Sequence, residues 1–533
     1  MKIDYYAGRL MMIRLVKYRE KILILAIVVL AVLIRIIFAV IHFTHYDDVG
    51  LIVSILQNGD GLLQKLHYKN IIPWTYAPLQ CWIIALLINS KYSYAVNLFL
   101  GRFPSLVFSI TNIFLMISFV KKVYPNKLQN VMERVLSVIM ISFSWELIIY
   151  AAQCEPYSIG ITGVLLLIHT YMDSVNKEEI PIIKTVLIGA VVGYMQYQLF
   201  VFALCFYVAL FINFFSDKRT LFKCMACSII SLAIDVPVII DFLKSGMFER
   251  GLNWNVGNNM QYSFNLSVYK GKDAIRYTIN YFVQNIFEYF RSMFIYKTTT
   301  WYSILITLAV VMAFILGIIY SFRKKDKMNN FFISVMLVSF ILIITGKLTL
   351  SPSRHTIIYI PICIYYIVRG VTCIRQLENY IFTKCMFVLS MCIVLIFLLD
   401  FPSEYMNRKN KISERIVSEW CEQIDPVYVG FYKDTFDLDL MRIPGYCKAV
   451  GGIQKENAII NVGDKIIFYS RAREIMDSDL EYLENSLDGN KLMLLSSDEQ
   501  PSDTEVEYAE GSFFNFGNGY YFYTYLVVDP NEK

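Results

Sequence analysis

Charged residues are scarce in this chain of 533 residues: they make up 17% of it, against about 25% in a typical soluble protein. Hydrophobic residues make up 56%, and the mean hydropathy is +0.48, which excludes an ordinary soluble globular domain. The net charge is only +5, and the basic residues stand in short clusters between apolar runs, which excludes a nucleic-acid-binding surface. The long apolar runs predict a polytopic α-helical membrane protein.

Metal ligands are equally sparse. The chain has five histidines, and no third ligand stands at a useful spacing from His42 and His45. Cys224 and Cys227 form a CxxC pair without a second pair. The sequence therefore implies no metal and no other cofactor. It also lacks a visible internal repeat, which disfavours a transporter built from duplicated halves.

The distribution of lysine and arginine predicts the topology. The first apolar run, residues 22–43, has no small-residue cleavage site and is interpreted as a signal anchor. Basic residues before it place the N-terminus in the cytoplasm. Residues 76–89 are too short to cross and predict an interfacial or re-entrant helix in a first outer loop, about 44–94. About eleven spans are predicted in all. Those after the first are predicted at 95–120, 135–151, 157–172, two within 185–215, 224–243, 301–320, 331–346, 356–370 and 383–399.

Two further regions are predicted outside the membrane. The segment at about 244–300 is polar and aromatic, and its aromatic residues are interpreted mainly as a belt at the membrane interface. Residues 1–400 form the membrane domain, and residues 401–533 are charged and rich in turns. Strands at 427–432, 465–469, 491–495 and 520–528 and a helix at about 477–487 predict a small α/β domain on the outer face.

Polar groups from distant parts of the chain collect at the predicted outer end of the bundle. An ionisable residue inside a span is costly and is a functional candidate, which singles out Arg102 and, less sharply, Arg35. Acids facing cations at lipid depth suit a reaction in which cations stabilise a lipid phosphate and a carboxylate takes a proton from a hydroxyl group. The candidates are Asp47, Asp48, Arg102, Glu155, Lys347, Arg354 and His355.

Short motifs occur in a fixed order over roughly residues 20–370. They are an acidic pair, a Pro-Leu helix start, an R-x-P-S sequence, a Pro-Tyr helix start and an S-P-S-R-H loop. In this chain they stand at Asp47–Asp48, Pro78–Leu79, Arg102–Ser105, Gln153–Tyr157 and Ser351–His355. Through the order of these motifs, the chain resembles the GT-C fold membrane glycosyltransferases that are related to protein O-mannosyltransferases. Within them it is most similar to the RgtA/B/C/D-like, family 39-type group.

The resemblance implies a function and a role for five of the candidates. Asp47 is the catalytic base and Asp48 a supporting acid, where the family usually has Glu. Arg102, Arg354 and His355 contact the lipid phosphate. Glu155 stands where the family often has a basic residue, so its role is open. The enzyme would transfer a sugar, with inversion, from a polyprenyl-phosphate donor to a glycan, lipid or protein acceptor on the outer face of the cell membrane.

Other interpretations stay open at this point. Asp47 and Asp48 fit a solvated turn after a helix, Arg102 fits a side chain that snorkels to the outer interface, and Lys347 fits a solvated loop. A transporter or flippase of a lipid-linked saccharide would share the phosphate-binding cations but would not need a base. A protein that binds glycolipid without catalysis is the third alternative. The sequence does not identify the sugar or the acceptor.

Overall fold

The fold is described from a computed structural model. It describes residues 2–41, 51–52, 55, 77–89, 91–92, 94–125, 130–244, 264, 271–293, 301–345, 347–348, 350, 356–376, 425–431, 446–449, 452–455, 459–470, 491–501 and 519–528. The described part of residues 1–400 is almost entirely helical. Its thirteen α-helices are α1 (Lys2–Ile41), α2 (Pro78–Leu87), α3 (Tyr94–Val123), α4 (Val131–Phe143), α5 (Trp145–Ile149), α6 (Tyr157–Lys177), α7 (Ile182–Met195), α8 (Leu199–Phe214), α9 (Lys218–Lys244), α10 (Gly271–Ser292), α11 (Trp301–Arg323), α12 (Met328–Ile344) and α13 (Ile360–Gln376).

The predicted class, a polytopic helical membrane protein, is confirmed in its coarse form. Six of the described helices are long and apolar enough to cross a membrane, and a bent pair formed by α4 and α5 raises the number to seven. The helices α2, α7, α8 and α12 have 10–17 residues, fewer than the roughly 20 that a bilayer requires. The predicted count of about eleven spans is not reached by these criteria, and the predicted span 383–399 lies outside the described residues.

Two predicted local features are present. Residues 78–87 form only a short helix, α2, with proline in its first turn, where its missing N–H costs nothing. The apolar stretch 185–215 is a pair of helices, α7 and α8, that turns at residues 196–198. Gln196 leaves the helical region there, with φ −163° and ψ 136°.

The third predicted span, 135–151, is not one straight helix. Ser144 is extended, with φ −69° and ψ 120°, and α4 and α5 meet there at an angle of 51°. A break of this kind leaves carbonyl groups without their usual N–H partners, so other groups must supply the hydrogen bonds. Arg35 donates these hydrogen bonds. Because Arg35 lies more than 100 positions away in the sequence, no local sequence pattern predicts this contact.

Ion pairs tie the helices together at one end of the bundle. Arg134 Nε lies 2.5 Å from Glu20 Oε1 and joins α4 to α1. Arg375 Nη1 lies 2.6 Å from Glu133 Oε1 and joins α13 to α4. The helices α3, α6 and α7 share the carboxylate of Asp173, and Arg369 of α13 pairs with Asp326 in the turn between α11 and α12; these pairs are Lys122–Asp173, Lys184–Asp173 and Arg369–Asp326.

These residues belong to the basic segments that the sequence assigns to a single side of the membrane. Because they contact one another, the helix ends that carry them lie on one face of the bundle. The turn at residues 153–156 and the turn at 196–198 lie at the other ends of the same helices. The helices that carry these groups therefore run alternately between two ends of the bundle, and which end faces the cytoplasm stays a prediction of the sequence.

A close contact between glycines brings α11 and α13 together. A Cβ atom added to Gly317 would lie 1.7 Å from the carbonyl oxygen of Tyr366. One added to Gly370 would lie 1.9 Å from the carbonyl oxygen of Ala313. Small residues let helix backbones approach closely in a membrane, where packing contributes much of the attraction between helices.

We expect Gly317→Ala and Gly370→Ala each to destabilise the protein by about 1–3 kcal/mol or more, because the obstructing atoms are backbone and the helices must separate. Gly163→Ala is the matched control, since its Cβ would meet the end of the flexible Leu199 side chain at 2.4 Å. Thermal unfolding of the purified variants in detergent measures the difference. An unfolding temperature for Gly317→Ala equal to that of Gly163→Ala would contradict the expectation.

The segment 244–300, predicted as a polar and aromatic outer loop, contains the 22-residue helix α10. Not all of its aromatic residues face outward. Tyr281, Tyr289 and Phe290 are buried against the bundle, and the ring of Phe290 lies 5.0 Å from that of Phe314 on α11. The interpretation of Tyr281 and Tyr289 as part of an interfacial belt was therefore wrong, because both side chains are buried against the bundle.

The C-terminal region contains a six-stranded sheet. Its strands are β1 (Tyr428–Phe431), β2 (Tyr446–Ala449), β3 (Gly452–Lys455), β4 (Lys465–Ser470), β5 (Lys491–Pro501) and β6 (Gly519–Val528), in the order β2-β3-β1-β4-β6-β5. Only β1 and β4 pair in parallel, with Tyr428 opposite Ile466. The four predicted strands are present, β2 and β3 were missed, and the predicted helix at 477–487 lies outside the described residues.

Candidate functional site

Arg102 is buried inside the bundle. Its side chain is only 1% exposed, which rules out the alternative that it snorkels to the interface. Nη1 donates a hydrogen bond of 3.3 Å to the carbonyl oxygen of Ala39, near the C-terminal end of α1. The last carbonyl groups of a helix lack intrahelical donors, and a cation there also complements the helix dipole. Arg102 thus lies where α1 runs into the segment that carries Asp47.

The turn that contains Glu155 packs against the same part of α3. Ser105, one turn after Arg102, donates a hydrogen bond of 3.0 Å to the carbonyl oxygen of Glu155. A Cβ atom added to Gly101 would lie 2.9 Å from Cys154 Sγ, so the turn sits directly on the helix. Glu155 itself is 5% exposed. The structure therefore brings together Arg102 and Glu155, which are 53 positions apart in the sequence.

Helix α2 supplies a third side of this cluster through Gln80. Its Nε2 group donates to Ser105 Oγ at 3.0 Å and to the carbonyl oxygen of Cys154 at 2.6 Å. Burial, and after it the negative charge of Glu155, raises the pKa of the neighbouring Cys81 thiol. We call Gln80, Arg102, Ser105, Cys154 and Glu155 the outer cluster.

Arg35, a functional candidate because it is a cation inside a span, has a structural role: it donates hydrogen bonds to groups of the neighbouring helices. Its Nη2 and Nη1 groups donate to the carbonyl oxygens of Ile141 (3.0 Å) and Ser142 (2.8 Å), and Nε donates to Ser109 Oγ at 2.8 Å. These are the carbonyl groups that lose their intrahelical N–H partners because the helix breaks at Ser144. Arg35 therefore bridges the broken span and sets the direction in which the chain continues to the Glu155 turn.

Several predicted residues cannot be compared with the fold. Asp47, Asp48, Arg354 and His355 lie outside the described residues. Their described neighbours lie at the same end of the helices as the outer cluster: Ala39 precedes Asp47 and contacts Arg102. Thr356 directly follows His355, and its carbonyl oxygen accepts a hydrogen bond of 3.2 Å from the Tyr289 hydroxyl group.

Lys347 lies close to the C-terminal end of α12. It is exposed in the turn after α12, where its backbone N–H donates to the carbonyl oxygen of Leu342 at 2.8 Å. The next residue, Leu348, packs with Phe264 and Tyr281 near α10. The described contacts thus place Lys347 near α10.

Two buried polar residues were missed by the sequence analysis. Gln80 looked like part of an apolar helix start, and only its contacts in the fold reveal it. Glu146 could have been predicted, because an acid inside an apolar run is a functional candidate by the same rule that singles out Arg102. It is 3% exposed, and Oε1 accepts a hydrogen bond of 2.6 Å from Ser292 on α10. Within the described residues Glu146 Oε2 has no hydrogen-bond partner.

The outer cluster offers a guanidinium group and a carboxylate in a largely dehydrated setting at one end of the bundle. A guanidinium group there suits an anionic oxygen such as a phosphate, because charge-assisted hydrogen bonds are strongest away from water. Within the described ranges no group of three histidine, cysteine or acidic side chains is placed to hold a metal ion. No protein-family model matches this chain, and no curated protein matches it.

Proposed function

We propose that this chain is a membrane glycosyltransferase of GT-C type that uses a polyprenyl-phosphate sugar as its donor. The observation that carries the proposal is the burial of Arg102 where the end of α1 meets the Glu155 turn. The order of the sequence motifs supports it, since Arg102 and Glu155 come from two of them and lie in one cluster.

The proposed reaction is a single displacement with inversion. The carboxylate of Asp47 takes the proton of the acceptor hydroxyl group, and the hydroxyl oxygen forms a bond to the anomeric carbon of the sugar. The bond between that carbon and the phosphate oxygen breaks, and polyprenyl phosphate leaves. Arg102, Arg354 and His355 stabilise the charge on the departing phosphate. Asp48 supports the base, and Glu155 is proposed to contact the acceptor.

The proposed setting follows the predicted topology. The enzyme lies in the cell membrane with its N-terminus in the cytoplasm, and the outer cluster and the C-terminal sheet lie on the opposite side. The acceptor is a glycan, a lipid or a protein. No metal takes part in the proposed chemistry.

Binding of the lipid phosphate tests the role of Arg102. We expect Arg102→Gln to weaken binding of a polyprenyl phosphate by about 10- to 100-fold, because a hydrogen bond to a charged group contributes about 1.5–3 kcal/mol. Arg102→Lys should recover part of the affinity through its charge. The measurement is a titration of the protein in lipid nanodiscs, read by native mass spectrometry.

Arg134→Gln is the matched control, since Arg134 is also buried but lies in the ion pairs at the other end of the bundle. Size-exclusion chromatography identifies the folded fraction of each variant. If folded Arg102→Gln binds polyprenyl phosphate as the unchanged protein does, Arg102 only caps α1 and the proposal loses its main support.

A further inference from the structure

Helix α10 has three faces of different character. One face is buried against the bundle, through Tyr281, Asn285 and Tyr289, and Phe290 is buried near the C-terminal end of the helix. A second face carries Arg276, Asn280 and Gln284, which are all exposed. Between them runs a row that we call the aliphatic stripe: Ile275 (63% exposed), Ile279 (57%), Val283 (64%) and Ile286 (37%).

The spacing of the aliphatic stripe makes it continuous. Its members follow one another at intervals of four, four and three residues. At 100° per residue they occupy an arc of about 80°, so they form one strip along the helix. Isolated exposed apolar residues need no explanation, but an unbroken row of branched aliphatic side chains marks a surface that contacts something apolar.

The C-terminal end of α10 is fastened to the bundle. Ser292 Oγ donates to Glu146 Oε1 at 2.6 Å, and the backbone N–H of Trp145 donates to the carbonyl oxygen of Met293 at 3.2 Å. Met293 is fully buried. These contacts fix the rotation of the helix about its axis, so the aliphatic stripe cannot turn inward without breaking them.

The aliphatic stripe adjoins the lateral apolar surface of the bundle. The ring of Phe282, which lies next to the stripe on α10, is 5.4 Å from the ring of Phe340 on α12. Phe340 and Ile341 are themselves about half exposed, as lipid-facing residues of an apolar helix are. The exposed apolar surface thus passes from α12 to α10 without a polar interruption at this contact.

We propose that the aliphatic stripe is a lipid-contact surface and that α10 lies in the boundary layer of the membrane. Acyl chains cover the stripe, while water covers Asn280 and Gln284. The cations of Lys272 and Arg276 lie at the exposed N-terminal end, where they attract lipid phosphate groups. A helix in this layer contacts acyl chains on one side, water on a second side and the protein on a third. The three faces of α10 match these three surroundings.

This surface has a consequence for the predicted S-P-S-R-H loop. The Tyr289 hydroxyl group on α10 donates to the carbonyl oxygen of Thr356, the residue after His355. A helix that lies on the lipid therefore fixes the height of Thr356 relative to the membrane surface. The lipid contact itself does not depend on the proposed sugar transfer.

Photochemical labelling tests the proposal. The full-length protein is placed in phosphatidylcholine nanodiscs that contain a phosphatidylcholine with a diazirine in its acyl chain. After irradiation, mass spectrometry locates the adducts. We expect adducts on Ile275, Ile279 and Val283 at yields similar to those on Leu305 of α11, an exposed residue of a candidate span, and only background on Asn280 and Gln284.

Two variants sharpen the test. Val283→Asn should lose most of the labelling on α10, because it interrupts the aliphatic stripe, whereas Gln284→Asn on the polar face should leave the labelling unchanged. Absence of adducts on the stripe while Leu305 is labelled would overturn the proposal.

Discussion

Asp47→Asn should reduce sugar transfer by about 10²- to 10⁴-fold, the contribution that a positioned general base makes to a rate. An amide of the same shape cannot accept the proton of the acceptor hydroxyl group, so the attacking oxygen stays a poor nucleophile. Binding of the polyprenyl phosphate should remain, because the proposed phosphate contacts come from Arg102, Arg354 and His355. The measurement is transfer of a radiolabelled sugar from a polyprenyl-phosphate donor in vesicles that contain the purified protein.

Asp48→Asn is the control on the neighbouring residue, and it should retain more activity than Asp47→Asn because Asp48 only supports the base. The same vesicles distinguish an enzyme from a flippase. A flippase moves the labelled lipid between leaflets without consuming it, and Asp47→Asn should not alter that movement. Unchanged sugar transfer by Asp47→Asn would remove Asp47 from the mechanism.

Arg35→Met should destabilise the fold by about 2–6 kcal/mol. In a continuous helix the carbonyls of Ile141 and Ser142 would accept the N–H groups four residues later, but the break at Ser144 prevents this. Arg35 takes their place at 3.0 and 2.8 Å. Methionine fills similar space without donors, and each buried carbonyl left without a partner costs about 1–3 kcal/mol.

The unfolding temperature in detergent and the folded yield measure this effect. Leu33→Met is the matched control, since Leu33 lies on the same helix with its side chain 51% exposed. Arg35→Lys should fall between the two, because an ammonium group replaces only part of the guanidinium fork. Equal stability of Arg35→Met and Leu33→Met would show that the break is stable without the guanidinium group.

The sequence predicted the features that depend on local composition. The length of an apolar run predicts a helix that can cross a bilayer, and the helices found at 94–123, 157–177, 218–244 and 301–323 lie where the runs do. The turn at Gln196 and the short helix after Pro78 also follow from nearby residues. Four strands of the C-terminal sheet were predicted by the same local pattern, whereas β2 and β3 each contain only one aromatic or β-branched residue and were missed.

The arrangement of the candidate site depends on contacts between distant residues. Arg35 and Arg102 look alike in the sequence, as cations inside spans. The fold separates them: Arg35 bonds the carbonyls of a broken helix, and Arg102 contacts the end of α1 beside the Glu155 turn. No local pattern distinguishes these roles, because the partners are acceptors on the backbone and backbone acceptors are the same at every residue.

By itself the sequence determined that this is a helical membrane protein and which segments are apolar enough to enter the bilayer, since the transfer free energy of a segment depends on its own side chains. The tertiary structure decided the 51° break, the outer cluster around Arg102 and Glu155, and the outward aliphatic stripe of α10. Each of these requires a second segment to supply a hydrogen bond or a packing surface, and which segment arrives there is a property of the whole fold.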